Sequence, residues 1–391
     1  MQPMTFSMTP SPPVKFGVDR VEKLAGDLAT VAGAGAPALL LADPGLGDTV
    51  DRVAALMRKG GGPVAVFTDV RSDPLGAAID AAADQARRIG AKVVVGLGGG
   101  STLDSAKLAA AIAVADRPAE HYALAVNRLP PNPLKKICIP TTAGTGSEAT
   151  RVSVFSNAKD DKVWAWGDPL MSDLSLLDPR LTVGLPAGLT AATGVDALVH
   201  AIEAMTIRRA NPMNDASCLQ AIRLVAKHLP RAVAQPDDLE ARGGMLIAAC
   251  LAGTSIDNSG TGIAHALGHA LGAIGHVHHG RAVGLSLRVA LAWNAKAGVE
   301  RHAQVAEALG VPAAGRDAAA VAEDLAPAFD RFLRQVGVTI SLGGDGLGLR
   351  DAGRLAETTM APENKSMRDG NIREITSADA SWLAEQVLQA S

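Results

Sequence analysis

Short apolar runs alternate with longer helical stretches through the first half of the chain. "APALLLAD" (36–43), "GPVAVFTDV" (62–70), "AKVVVGLGGG" (91–100) and "LKKICIPTTAGTG" (134–146) each hold a compact apolar segment, and all but the second close on Asp or Gly. "PLGAAIDAAADQARRIG" (74–90) and "DSAKLAAAIAVA" (104–115) read as helices. Apolar runs of strand length separated by helices predict a mostly parallel sheet covered on both faces. The pattern changes after "DPRLTVGLPAGLTAATG" (178–194), a stretch rich in Pro, Gly and Thr. Beyond it, Ala/Leu-rich helical stretches dominate, at 195–208, 213–229, 238–255 and 316–336. The expected organisation is an α/β domain over 1–186 and an all-helical domain over 187–391.

Composition narrows the class. At 391 residues the chain has room for two full cores, and 48% hydrophobic with 20% charged residues suits a globular protein. Lys and Arg number 37 against 40 Asp and Glu, for a net charge of −3. That balance offers no electrostatic case for nucleic acid or an anionic membrane as partner. Aromatics are 3% of the chain, with Tyr122 the only tyrosine, which speaks against a base-stacking or carbohydrate platform. Cys138, Cys218 and Cys250 are widely spaced and odd in number, so they read as buried thiols of a reducing compartment. "MQPMTFSMTPSPPVKFG" lacks the basic start and apolar run of a signal peptide, and no apolar stretch approaches a membrane span. The expected location is the cytoplasm.

Two glycine turns carry the first chemistry. "VVVGLGGGSTLDSAK" (93–107) is strand, glycine turn, helix. Gly98, Gly99 and Gly100 let backbone approach a phosphate, and the helix N-terminus behind them favours its charge. Ser101 and Asp104 sit where a helix start wants a cap. The turn departs from GxGxxG, whose third glycine falls on Ser101, and "AGAGAP" (32–37) precedes a strand rather than following one. "PTTAGTGSE" (140–148) is a second strand-end turn, with hydroxyls from Thr141, Thr142, Thr145 and Ser147 and free backbone at Gly144 and Gly146. Two such turns at neighbouring strand ends point to a nucleotide crevice. Asp43 closes the first clear strand, where a carboxylate can accept from an adenosine ribose and repel a 2′-phosphate, favouring NAD over NADP. The alternative for Asp43 is turn chemistry, since "DPG" makes a good turn.

The second half offers metal-binding residues. "DALVHAIEA" (196–204) sets Asp196 and His200 one helical turn apart among Ala, Leu, Val and Ile. A buried carboxylate there needs a partner or a metal. "HALGHALGAIGHVHHG" (265–280) holds five of the nine histidines. His265 and His269 are also one turn apart. His279 would lie about 21 Å from His265 along a continuous helix. Both can serve one ion only if the helix breaks, for which Gly272, Gly275 and Gly280 provide. His276 and His278 read as surface imidazoles without a task.

With these pieces together, the chain resembles the iron-containing (group III) alcohol dehydrogenase family. The matching motifs are "GGGSTLDSAK", "PTTAGTGSE", "ATGVDALVHAIE", "GIAHALGHALGAIGHVHHG" and "NIREITSADASWLAEQ", in the family's order and over almost the whole chain. The resemblance implies a Rossmann-like α/β domain and an all-α domain in a dehydroquinate synthase-like architecture, with a divalent metal in the cleft between them. It implies Asp196, His200, His265 and His279 as ligands, and His269 as a catalytic neighbour of nicotinamide and substrate. Gly98 to Gly100, Ser101, Asp104, Thr141, Thr142 and Thr145 fall in its cofactor motifs, Asp43 on the position tied to NAD preference, and Lys162 near a cofactor-contacting lysine, in a looser match. Asp73 departs from the Asn that the family often has there.

The implied reaction is reversible hydride transfer between NAD(H) and a small alcohol or aldehyde, by a homodimer holding Fe(II) or Zn(II). Rival expectations are a polyol (glycerol-type) dehydrogenase of the same superfamily and a non-redox metal lyase that uses NAD transiently. The lyase needs several basic residues for a phosphorylated acidic substrate. The helical half offers few beside its motifs, Arg281 and Arg288 being the nearest.

Overall fold

The computed structural model describes residues 5–389, which form two compact units. One holds Pro10–Thr142 and Gly146–Val183. The other holds Ala143–Thr145, the chain from Gly184 on, and the described residues ahead of Pro10. The tip of "PTTAGTGSE" therefore groups with the helical unit, while Thr141 and Thr142 stay with the sheet.

The α/β unit is built on a six-stranded parallel sheet: β1 (Val14–Phe16), β2 (Ala38–Ala42), β3 (Val64–Phe67), β4 (Val93–Gly98), β5 (Lys135–Pro140) and, further on, β8 (Leu174–Leu177). Its order is β1-β8-β5-β4-β2-β3. Strand side chains alternate, so Leu39, Leu41 and Val94 join one apolar cluster while Ala38, Leu40, Ala42, Val93, Val95 and Leu97 join another. Both faces are thus buried, as the uninterrupted apolar runs require. Helices α1 (Leu24–Ala32), α2 (Asp48–Arg58), α3 (Gly76–Arg88) and α4 (Gly100–Ile112) supply the cover.

An antiparallel hairpin, β6 (Val152–Ser156) with β7 (Lys162–Trp166), stands apart from the main sheet. It and the short strands β1 and β8 have no counterpart in the sequence expectation. With three to five residues each, they carry too few apolar positions to show a period.

The helical unit opens with α5 (Ala187–Thr206), α6 (Pro212–Ala234), α7 (Leu239–Ser259), α8 (Ile263–Gly275) and α9 (His279–Ala295). Then come α10 (Val299–Ala308), α11 (Ala318–Glu323), α12 (Leu325–Gln335), α13 (Ala352–Thr359), α14 (Lys365–Gly370) and α15 (Ser377–Gln389). α5 starts eight residues before its expected position, absorbing "AGLTAATG". The threonines that suggested a loop are accommodated inside: Thr193 Oγ1 donates back to the Leu189 carbonyl at 2.9 Å. The single helix expected over 316–336 is two, meeting at Asp324. All three cysteines are free and buried. No helix among the described residues is long and apolar enough to cross a membrane.

Candidate metal centre and cofactor turns

α5 is buried along most of its length, so its polar side chains must be satisfied inside the protein. Asp196 Oδ1 lies 3.7 Å from His200 Nε2 and 3.5 Å from His279 Nε2. One ligand-capable atom from each of Asp196, His200, His265 and His279 falls within 4.8 Å of the others. The His200 and His265 rings stack with centroids 4.7 Å apart, and the His279 ring is 5.6 Å from that of His265.

Whether this set fits a cation is decided by its unsatisfied atoms. Asp196 Oδ1 and His265 Nε2 are buried and have no hydrogen-bond partner among the described residues. Each such atom costs about 1–3 kcal/mol, so two of them facing one cluster need an occupant. Burial pushes the His200 imidazole below its ordinary value, with Asp196 pulling the other way. The neutral imidazole so favoured is the form that binds metals. Three imidazoles and a carboxylate suit Fe(II) or Zn(II).

His265 and His279 come together because the helix breaks between them. α8 ends at Gly275, His276 takes a left-handed φ of 52°, and α9 begins at His279. The left-handed position is thus His276, not one of the glycines. Its N–H donates to the Gly272 carbonyl at 2.9 Å, which gives this exposed histidine a backbone task as the cap of α8. Val277 anchors the break by burying its side chain in the apolar core.

Gly280 serves close packing instead. A Cβ there would lie 2.1 Å from the Ala192 carbonyl oxygen and 3.1 Å from Asp196 Cβ. α9 can approach α5 only without that atom. Gly280→Ala is therefore expected to cost about 1–3 kcal/mol or more and to weaken metal uptake by moving His279 away from Asp196. Thermal unfolding and metal content measured together check this; a variant unchanged in both would refute the close approach.

His269 is half-buried beside the cluster, its ring centroid 5.3 Å from that of His279 and 6.3 Å from that of His265. It is not one of the four clustered residues. The sequence reading missed Glu203, which accepts from the Gly262 and Ala264 N–H groups and contacts His265 Nδ1 at 2.5 Å. The available signal was a further carboxylate three residues past His200 on the same buried helix.

The cofactor candidates other than Thr145 lie in the α/β unit. Because β2, β4 and β5 are neighbours, Asp43, Gly98 to Gly100 and Thr141 with Thr142 gather at three adjacent C-terminal strand ends. Asp43 N donates to the Leu97 carbonyl and Thr141 N to that of Gly98, each at 3.0 Å. A Cβ at Gly98 would lie 2.5 Å from Thr102 Oγ1, so the strand can turn into α4 this tightly only with glycine. Asp43 Oδ1 accepts from Gly45 N at 2.8 Å, the turn chemistry of its "DPG". Lys162 lies on the hairpin, with Nζ 2.8 Å from Asp73 Oδ1.

Two capping expectations are corrected. α4 begins at Gly100 with Gly99 as its N-cap, so Ser101 and Asp104 lie inside the helix and neither caps it. Asp104 instead accepts from Ser147 Oγ and from Val154 N and pairs with Lys107 at 3.1 Å. Beside it, burial pushes the Glu148 carboxyl up to about 7.

The profile of iron-containing alcohol dehydrogenase covers residues 11–179, and that of the Fe-containing alcohol dehydrogenase family C-terminal region covers 190–388. The NAD-dependent methanol dehydrogenase of Bacillus methanolicus is 35% identical over 304 residues, 77% of this chain and 80% of its own. The 1,3-propanediol dehydrogenase of Klebsiella pneumoniae is 34% identical over 376 residues, 93% of this chain and 95% of its own. The crystal structure of sulfoacetaldehyde reductase from Bifidobacterium kashiwanohense in complex with NAD+ aligns with a TM-score of 0.89 at 29% identity, covering 99% of this chain and 100% of that one. A parallel α/β unit, an all-helical unit and these relatives define an oxidoreductase acting on CH–OH groups. The chain belongs to the iron-containing alcohol dehydrogenase family.

Proposed function

We propose that the chain catalyses reversible NAD-dependent hydride transfer on a small alcohol or aldehyde, with Asp196, His200, His265 and His279 holding Fe(II) or Zn(II). The observation that carries the metal reading is the pair of buried, unpartnered atoms, Asp196 Oδ1 and His265 Nε2, in one cluster. When bound, the ion polarises the substrate oxygen as a Lewis acid while NAD(H) takes or gives the hydride. The residues supply binding and proton handling. Backbone N–H groups at Gly100 and Ser101, in the first turn of α4, present donors to a diphosphate, with Thr141 and Thr142 adding hydroxyls. The Asp43 carboxylate selects NAD by repelling a 2′-phosphate, and its Asx turn holds it at the strand end. His269, half-buried beside the cluster, exchanges the substrate proton with solvent.

The test is metal analysis of the purified chain followed by NAD reduction and NADH oxidation against a panel of small alcohols and aldehydes. Stoichiometric NADH from an alcohol is expected. A metal-loaded chain with no turnover on any of them would sink the dehydrogenase assignment. Activity lost in air and restored by Fe(II) marks iron, and activity indifferent to air marks zinc.

A further inference from the structure

Glu203 lies on α5, buried, and its carboxylate meets two backbone N–H donors and an imidazole nitrogen at once. Oε1 accepts from Ala264 N at 2.8 Å. Oε2 accepts from Gly262 N at 2.9 Å and lies 2.5 Å from His265 Nδ1. The own N-cap of α8, Gly262, has no side chain to offer, so Glu203 caps that helix from another element. Between Gly262 and Ala264 the N–H of Ile263 donates to Asn371 Oδ1 at 3.5 Å. Asn371 is held in turn by reciprocal side-chain bonds with Asn294, at 3.0 and 3.1 Å, and by donating to the Arg373 carbonyl. A negative charge at a helix N-terminus is favourable in itself. Capping, however, does not explain the third contact.

An oxygen that already accepts a backbone N–H meets Nδ1 as an acceptor, which places the ring proton on Nδ1. His265 Nε2 is then a bare lone pair, and it is the atom left buried without a partner. We propose that Glu203 is the positioning residue of the metal centre, fixing His265 in its Nδ1–H tautomer and locking the start of α8 so that Nε2 is presented for coordination. The proposal rests on reading Asp196, His200, His265 and His279 as metal ligands. It assigns the helix cap and the ligand's orientation to one carboxylate, so α5 supplies two ligands directly and orients a third. A carboxylate behind a coordinating imidazole also raises its basicity, and losing such a partner typically costs about 10–100-fold in metal affinity.

The test compares Glu203→Gln with Asn371→Ala in the full chain. Zn(II) affinity is measured against a competing chelator, and unfolding of the metal-free proteins is followed by heat. Both variants lose part of the cap of α8, so both are expected to melt earlier. Only Glu203→Gln is expected to weaken Zn(II) binding, by about 10–100-fold, with Asn371→Ala within about twofold of wild type. Equal Zn(II) affinity in Glu203→Gln and wild type overturns the proposal, as does an equal loss in both variants. A second measurement does not depend on Glu203→Gln or Asn371→Ala folding. In the metal-free wild-type chain labelled with 15N-histidine, the His265 ring, identified by its disappearance in His265→Ala, is expected to carry its proton on Nδ1. A proton on Nε2 alone overturns the proposal. A wild-type chain that takes up no ion would refute the ligand reading instead, and the ring spectrum would still decide the role of Glu203.

Discussion

His279→Ala and Asp196→Ala are each expected to leave the purified chain nearly free of metal and alcohol oxidation at background, while His276→Ala keeps both. The three residues are close in space or sequence, so the contrast is a test of geometry rather than of histidine content. His279 Nε2 and Asp196 Oδ1 are 3.5 Å apart, and that oxygen has no hydrogen-bond partner among the described residues, which suits two ligands of one ion. Removing a ligand should weaken binding by more than the roughly 100-fold that losing an outer hydrogen-bond partner costs. His276 is exposed and makes its contribution through its backbone. Substituting Ala there alters only the ease of a left-handed φ, an effect of about 1 kcal/mol on stability. Metal content by elemental analysis, alongside NADH formation, checks all three variants. A full metal complement in His279→Ala would remove that residue from the site, and metal loss in His276→Ala would mean the loop acts as a unit.

The four clustered residues were readable in the sequence because helical spacing is a local rule. Asp196 with His200 needed only a buried helix, and His265 with His279 needed only a break between them. Where the break falls was less legible: glycine is the usual left-handed residue, yet His276 holds that conformation while Gly275 and Gly280 allow close approach to Leu347 and Ala192. The strands β2, β4 and β5 and their terminal turns were legible for the same local reason, as apolar runs closing on Asp or Gly. What escaped depends on pairing between distant segments. Glu203 finds its partners some sixty residues on, at Gly262, Ala264 and His265. Asp104 looked like a cap of α4 because the helix was placed to start there. The actual start at Gly100 turns its carboxylate toward Lys107 and the segment 147–154. No periodicity in a single segment carries that information.

Lys107→Met is expected to be among the most destabilising single substitutions in the α/β unit. The Lys107 side chain is fully buried on α4, among the largest of the fully buried side chains. Its ammonium donates to the Ser147 carbonyl at 2.8 Å, to Thr150 Oγ1 at 3.1 Å and to the Val152 carbonyl, and it pairs with Asp104 at 3.1 Å. These acceptors span the end of "PTTAGTGSE" and the start of β6, so one charge ties the second glycine turn and the hairpin to the helix that begins at the first. Methionine fills nearly the same volume but satisfies none of the oxygens. It leaves the Asp104 carboxylate with only the Ser147 hydroxyl and the Val154 N–H. Breaking a buried pair from one side costs about 3–5 kcal/mol, a large share of the about 5–15 kcal/mol by which a folded protein is stable. Asp104→Asn, which keeps an acceptor oxygen for one of those donors and removes the charge, is expected to cost less. The double variant should be less damaged than the sum of the singles by about 0.5–3 kcal/mol, because Lys107 and Asp104 share one network. Denaturant unfolding of the four proteins, followed by a signal from Trp164 and Trp166 on β7, measures each value. A cost below about 1 kcal/mol for Lys107→Met, in the range of an exposed ion pair, would show that the buried ammonium is not what holds these segments together.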